Sequence, residues 1–409
     1  MKNSLFFCLL LLIPSTSTIP ELSSKTVYDT VRGDIRDVET LSNKDGECQP
    51  ERIYFLLRHG SRNFGNTITN RINLFLKKLT KLVNSGTVTL NSDMEWYKDW
   101  EGGVYYKDYE LVVEGMLEHF FIATRYKEKF PGLFPNYSVY NYSLQATTKM
   151  RTIQSALSFM DGLLHGTGPL ESSPDRLNIV MKGYMPPGMV IENNDEDRLL
   201  RFVDCCPKYE DYIATLKWKE ESNLFDQLPV YKAVVKSVSS ALNYDATLND
   251  SKALYYLCAA ENMSPSQARH SQFCNVFNEE SLDVLDYSKD LEKYYKYSYP
   301  YPTTYKMSCL LLNDIIKEME SDKKIPVLKF AHEETVLPLL SLLGLFDDGE
   351  IMTHKMKDWK NRKMKISRIT PFAGNVAFVK QSCPGENESR VQVKTKSYFR
   401  APFEGNDYA

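Results

Sequence analysis

The sequence predicts an α/β protein: a core sheet with helices on both faces and a helical segment inserted part-way along the chain. Two observations predict it. Apolar runs at Ile53–Leu57 and Ile325–Phe330 and an alternating stretch at Tyr137–Leu144 each pass through a polar tip into a helical pattern, as strands do when they hand over to helices in an open sheet. Residues 191–299 then carry few strand signals and are rich in Tyr, Lys and Glu at helical spacing. The chain has 409 residues and 43% hydrophobic content, ample for a large core.

Residues 1–18 read as a secretory signal peptide. Lys2 supplies the positive start, Leu5 to Ile13 the apolar run, and Pro14 to Thr18 a small polar cleavage region. That run is too short to span a bilayer. No other long apolar run follows, so a soluble mature protein without stable membrane insertion is expected. Its expected place is the secretory pathway, either secreted or held in the lumen of the endoplasmic reticulum or lysosome. Ser24 to Glu47 is polar and is expected to lie loosely on the surface.

Ile53 to Leu57 reads as a buried strand that ends in Arg58-His59-Gly60-Ser61-Arg62. Gly60 is read as permitting a tight turn. Helical patterns follow at Thr69–Leu82 and Glu110–Phe130, the second stopped by Pro131-Gly132. Tyr137–Leu144 alternates like a strand, Gln145 to Lys149 is a polar loop, and a helix opens near Arg151. Leu177–Lys182 is a further short strand. Residues 191–299 form the helical cap, inserted between two core portions, 48–190 and 300–409. Cys309–Met319 is an amphipathic helix. Ile325–Phe330 is a strand, Ala331 to Thr335 its polar tip, and Val336–Phe346 an apolar helix. Ile369–Val379 and Val391–Tyr398 read as a terminal strand pair.

In an oxidising compartment the cysteines read as disulfides. Cys48, Cys206, Cys258, Cys274, Cys309 and Cys383 are the candidates, with Cys205 left over and the connectivity open. Their spacing fits no zinc pattern. Asn136, Asn141, Asn249, Asn262 and Asn387 head glycosylation sequons. Net charge is −3, so no global basic field recommends a nucleic-acid partner.

Three strand-to-helix junctions carry reactive groups: Arg58-His59-Arg62, Arg151, and His332-Glu333-Glu334. Such junctions converge at the carboxyl edge of an α/β sheet. Three cations suit a transferring phosphoryl group, a neutral histidine can attack phosphorus, and a nearby acid can protonate the leaving alcohol. No Gly-rich phosphate loop and no acidic metal cage is present, so a mechanism without metal or cofactor fits. Each junction alone also has a plainer reading. Arg58-His59 could be a strand edge, Arg151 a solvated helix-start cation, and Glu333-Glu334 acids favoured by a helix amino terminus. Taken together, a shared phosphate site is the better account.

At these residues the sequence resembles the histidine acid phosphatases of the phosphoglycerate-mutase-like group. Arg58-His59-Gly60-Ser61-Arg62 is similar to the family signature. Ala331-His332-Glu333-Glu334-Thr335 and the apolar helix after it are similar to the multiple inositol polyphosphate phosphatase branch. So are Leu199 to Cys206 and Pro371 to Val376. The resemblance implies a phosphoglycerate-mutase-like core with a cap, and a phytase-like activity on inositol polyphosphates, with 2,3-bisphosphoglycerate as a further substrate. It implies His59 as nucleophile, Glu334 as proton donor, and Arg58, Arg62, Arg151 and His332 as phosphate ligands. Glu333 stands where that branch has alanine and where the prostatic-type branch has its acid, so the donor stays open between Glu333 and Glu334, with Glu334 preferred. Asn63-Phe64-Gly65 departs from the family, which has proline two residues after the second arginine. Arg71 and Lys149, with Lys77 and Lys78, are candidates for further substrate phosphates. The alternatives are a broad acid phosphatase of prostatic type and, outside enzymes, an inactive secreted binding protein.

Overall fold

The computed structural model describes residues 20–32, 42–43, 46–102, 109–135, 140–165, 187–265, 271–385 and 389–395. The expected signal peptide and the expected strand at Leu177–Lys182 lie outside these residues.

The frame is a six-stranded sheet. Its strands are β1 (Gln49–Arg58), β2 (Ser143–Thr147), β3 (Met189–Glu192), β4 (Val327–Ala331), β5 (Asn375–Ser382) and β6 (Arg390–Thr395). They lie in the order β3-β2-β4-β1-β5-β6. β3, β2, β4 and β1 run parallel, β5 pairs antiparallel with β1, and β6 pairs antiparallel with β5. β1 is central, and Ile53 to Leu57 are wholly buried. Tyr54 and Leu56 enter the apolar cluster on one face, while Ile53, Phe55 and Leu57 enter the cluster on the other. A strand covered on both faces must be apolar at every position, which is why this one shows as an unbroken run.

The helices used below are α1 (Asn66–Asn84), α2 (Val113–Lys129), α3 (Met150–Leu164), α4 (Pro229–Leu242), α5 (Leu248–Met263), α6 (Glu279–Tyr297), α7 (Cys309–Glu320) and α8 (Glu333–Leu342). α2 and α3 cover one face with Ile122, Tyr126, Phe159 and Met160. The other face carries α1, α7 and α8, and its apolar cluster runs on without a break into Val238, Leu254 and Tyr294 of α4, α5 and α6. The mixed α/β architecture expected from the sequence is therefore present.

Several local expectations are corrected. β2 includes Gln145, Ala146 and Thr147, which read as loop. Gln145 hides its polarity by accepting a 2.6 Å hydrogen bond from Lys329 of β4. α8 begins at Glu333, three residues before the apolar pattern starts. The amino-terminal segment does not lie loosely outside: Leu22, Ser23, Ser24 and Thr26 are buried. Each polar member has a fixed partner, such as Ser23 Oγ donating to Asp290 at 2.7 Å and the Thr26 carbonyl accepting from Phe372 N at 2.9 Å.

Cys48–Cys383 and Cys258–Cys274 are disulfides. Cys206 and Cys309, also expected to pair, are free, as is Cys205. Cys206 precedes the Pro207–Ala214 helix and Cys309 opens α7 on the surface, so neither sulfur meets a partner. Among the sequons Asn249 is exposed and Asn141 half-buried, whereas the Asn262 amide already donates to the Cys258 carbonyl at 3.0 Å. Asn136 and Asn387 lie outside the described residues. Among those described, no helix is long and apolar enough to cross a membrane.

Candidate active site

Three parallel strands end on one edge. β1 closes at Arg58 opposite Ala331, the last residue of β4, and β2 closes beside them at Thr147. The residues just past these ends are therefore brought together, and the ring centroids of His59 and His332 lie 5.4 Å apart. The His59 backbone is pinned on both sides: its N–H donates to the Ala331 carbonyl at 3.0 Å, and its carbonyl accepts from Ala373 N at 2.9 Å.

Gly60 is needed for a reason other than a special turn. A Cβ there would lie 2.3 Å from the Gly115 carbonyl of α2, and a Cβ on Gly115 would lie 2.2 Å from the Ser61 carbonyl. Two glycines let loop and helix backbones touch. Beneath them is a carboxylate that sequence reasoning missed. Glu118 accepts from Ser61 N at 2.7 Å, Ser61 Oγ at 2.9 Å and Tyr28 N at 2.9 Å. Burial pushes its carboxyl up to about 7. Nothing local in the sequence separates it from the solvent-facing acids of α2.

His59 Nδ1 lies 2.9 Å from the Gly60 carbonyl. A carbonyl only accepts, so Nδ1 carries the proton and Nε2 keeps its lone pair. Burial, then Arg151, Arg58, Arg62 and His332, hold this imidazole well below the usual histidine range, so it is neutral.

Each arginine is set by neighbours. Arg58 is buried; it donates to the Thr370 carbonyl at 2.5 Å and the Ser24 carbonyl at 3.0 Å, and lies 4.5 Å from the Phe372 ring centroid. Arg62 donates to the Asn63 carbonyl at 2.7 Å. Burial and the other arginines lower Arg62 to about 9. Arg62 and Arg151 share the Tyr109 ring, at 5.0 and 5.8 Å from its centroid. Tyr109 also presses on Gly65, where a Cβ would fall 2.0 Å from the ring. Phe64 is buried 5.9 Å from the Tyr256 ring, so the Asn63-Phe64-Gly65 departure is filled by packing against Tyr109 and α5. The Nε–H groups of Arg58, Arg62 and Arg151 are all buried without a hydrogen-bond partner.

His332 receives Arg151 Nη2 on Nδ1 at 3.3 Å, and its Nε2 meets Thr147 Oγ1 at 2.9 Å. Arg151 can only donate, so His332 carries its proton on Nε2. The two glutamates diverge. Glu334 Oε1 accepts from Arg201 at 2.7 Å, and its side chain is 24% exposed. Burial raises its carboxyl, but His332 and Arg201 outweigh that and hold it well below the usual range. Glu333 is withdrawn: Oε2 accepts from Lys293 at 2.6 Å, and Oε1 is buried without a partner.

Arg71, on α1, lies beside Tyr231 of α4, Lys149 stands at the amino end of α3 two residues before Arg151, and Lys78 pairs with Asp250 at 2.8 Å. Lys25, Arg201 and Lys293 also surround the centre. Of these only Arg201 stood within a segment that drew attention in the sequence.

The model of the histidine phosphatase superfamily (branch 2) matches residues 51–401. Multiple inositol polyphosphate phosphatase 1 of Homo sapiens is 27% identical, over 93% of this chain and 81% of its own. That of Drosophila melanogaster is 26% identical, over 90% and 77%. Among solved structures, Bifidobacterium longum multiple inositol polyphosphate phosphatase in complex with inositol hexasulfate shares the fold. Its TM-score is 0.67 at 16% identity, covering 92% of this chain and 91% of that one.

Proposed function

This chain belongs to the histidine phosphatase superfamily (branch 2), and from that premise we propose that it removes phosphates from inositol polyphosphates, phytate and its lower products, through a phosphohistidine. One observation supports the phosphate reading most strongly. Three guanidinium Nε–H groups from two junctions are buried without partners around a neutral histidine. Leaving one such donor unsatisfied costs about 1–3 kcal/mol, and a phosphate anion would relieve all three.

In this reading Arg58, Arg62, Arg151 and His332 hold the phosphate. A bound dianion favours the imidazolium form of His332, which then donates through Nδ1. His59 Nε2 attacks phosphorus as the ester P–O bond breaks, and Glu334 gives its proton to the departing alcohol oxygen. The negative charge of the bound dianion disfavours a carboxylate beside it and so returns Glu334 toward protonation. Water then attacks the phosphohistidine, Glu334 takes the water's proton, the P–N bond breaks and inorganic phosphate leaves. The helices of 191–299 roof the pocket as a cap and select the substrate, and 2,3-bisphosphoglycerate is a second substrate. The disulfides support a secretory-pathway lumen as the site of action.

The test is the product profile of the purified protein given inositol hexakisphosphate or 4-nitrophenyl phosphate. Stepwise release of inositol phosphates is expected. Turnover of the aryl phosphate alone would make the protein a broad acid phosphatase.

A further inference from the structure

Glu21 to Tyr28 form a strap laid across the active-site edge. Ser367 and Arg368 hold it at Glu21, Asp290 at Ser23, the Phe372 backbone at Thr26 and Glu118 at Tyr28. The Ser24 carbonyl orients Arg58. The next residue, Lys25, lies before the span matched by the family model.

The Lys25 ammonium lies 5.6 Å from the centroid of Phe372, the ring that also carries Arg58. Its hydrogen bond is a long one, 3.4 Å to Ser24 Oγ, and among the described residues no carboxylate forms an ion pair with it. Its charged neighbours are Arg62, Lys293, Arg58 and Glu333. Glu333 is 4% exposed, with one oxygen on Lys293 and the other unpartnered. One turn along α6 from Lys293 stands Lys296, which burial and Lys293 lower to about 8. This corner thus gathers Lys25, Lys293 and Lys296 with Arg58 and Arg62 against Glu333, Glu334 and Glu292, and the strap lysine has only its one long hydrogen bond. A buried surplus of one sign is costly unless a ligand brings the opposite charge.

We propose that Lys25 and Lys293 bind a second phosphate of the substrate, beside the one being transferred, and that Glu333 is the counter-ion holding this subsite while substrate is absent. The subsite rests on the polyphosphate reading above, because a simple monoester has no second phosphate to place there. The bound phosphate takes both ammonium groups, and Glu333 gives up its claim on Lys293. Glu333 is then a specificity residue, and proton delivery stays with Glu334.

Steady-state kinetics of the full chain with inositol hexakisphosphate and 4-nitrophenyl phosphate test this. Lys25→Met is the deciding variant, because Lys25 has no ion-pair partner to strand. It is expected to lower kcat/KM for inositol hexakisphosphate about tenfold, mainly through KM, and that for the aryl phosphate far less, with Lys25→Arg restoring part of the loss. Glu333→Ala is expected to lower KM for the polyphosphate severalfold, by freeing Lys293. A Lys25→Met protein with wild-type melting temperature and an unchanged ratio between the two substrates overturns the subsite alone. So does a Glu333→Ala protein whose kcat falls a hundredfold on inositol hexakisphosphate and far less on the aryl phosphate, which would make Glu333 the acid. Wild-type protein that hydrolyses only the aryl phosphate overturns the polyphosphate reading and the subsite with it.

Discussion

In the proposed mechanism His59 and Glu334 have opposite tasks, and different neighbours set them. Burial and three arginines keep His59 neutral with Nε2 free, as a nucleophile needs. His332 and Arg201 outweigh burial and hold Glu334 well below the usual carboxylate range. If Glu334 protonates the leaving oxygen, its loss must matter most where that oxygen leaves poorly. Glu334→Gln is therefore expected to slow release from inositol hexakisphosphate by about 10²–10⁴-fold and from 4-nitrophenyl phosphate by much less, read as kcat for each. Equal losses on both substrates would deny it the donor role. His59, Arg58, Arg62, Arg151, His332 and Glu334 were legible in the sequence because each stands at a strand end that runs into a helix. Lys25, Lys293 and Glu118 were not. Each acts on the site from a distant segment, and its own neighbours in sequence look like ordinary surface.

At the scale of elements, the site depends on backbones held close together. Gly60 and Gly115 bring the His59 loop onto α2, and Glu118 fastens that contact and the strap at once. Glu118 rises from an ordinary 4.5 to about 7 in the fold, so the native protein binds this proton more tightly than the unfolded chain. Its contribution to stability is therefore full below about pH 4.5 and is lost as pH rises toward 7. The slope approaches about 1.4 kcal/mol per pH unit within that window. Glu118→Gln should flatten this part of the profile, measured as wild-type minus variant unfolding free energy in urea at several pH values. A difference independent of pH would show that Glu118 does not titrate there. β1 was legible as a strand because it is apolar on both faces. β2 was misjudged because the Gln145–Lys329 pair hides polar side chains inside the sheet, a pairing that only the assembled sheet creates.

Over the whole molecule, four parallel strands gather the three junctions on one edge, and the inserted helices share the apolar core beneath that edge. The α/β class was readable from the strand-to-helix rhythm. The continuity of the two cores was not, since amphipathic helices do not announce which face they will join. Local positive charge arises in a chain of net charge −3 because arginines and lysines far apart in sequence converge at one sheet edge. In the proposed function this convergence makes His59 a phosphoryl acceptor. Acid quench of the enzyme during turnover of a substrate with a labelled phosphate tests it most directly. Acid-labile label bound covalently to the wild-type protein is expected, and none on His59→Ala, which should also lose turnover. Label persisting on His59→Ala, or turnover surviving in it at the wild-type rate, would show that His59 is not the acceptor.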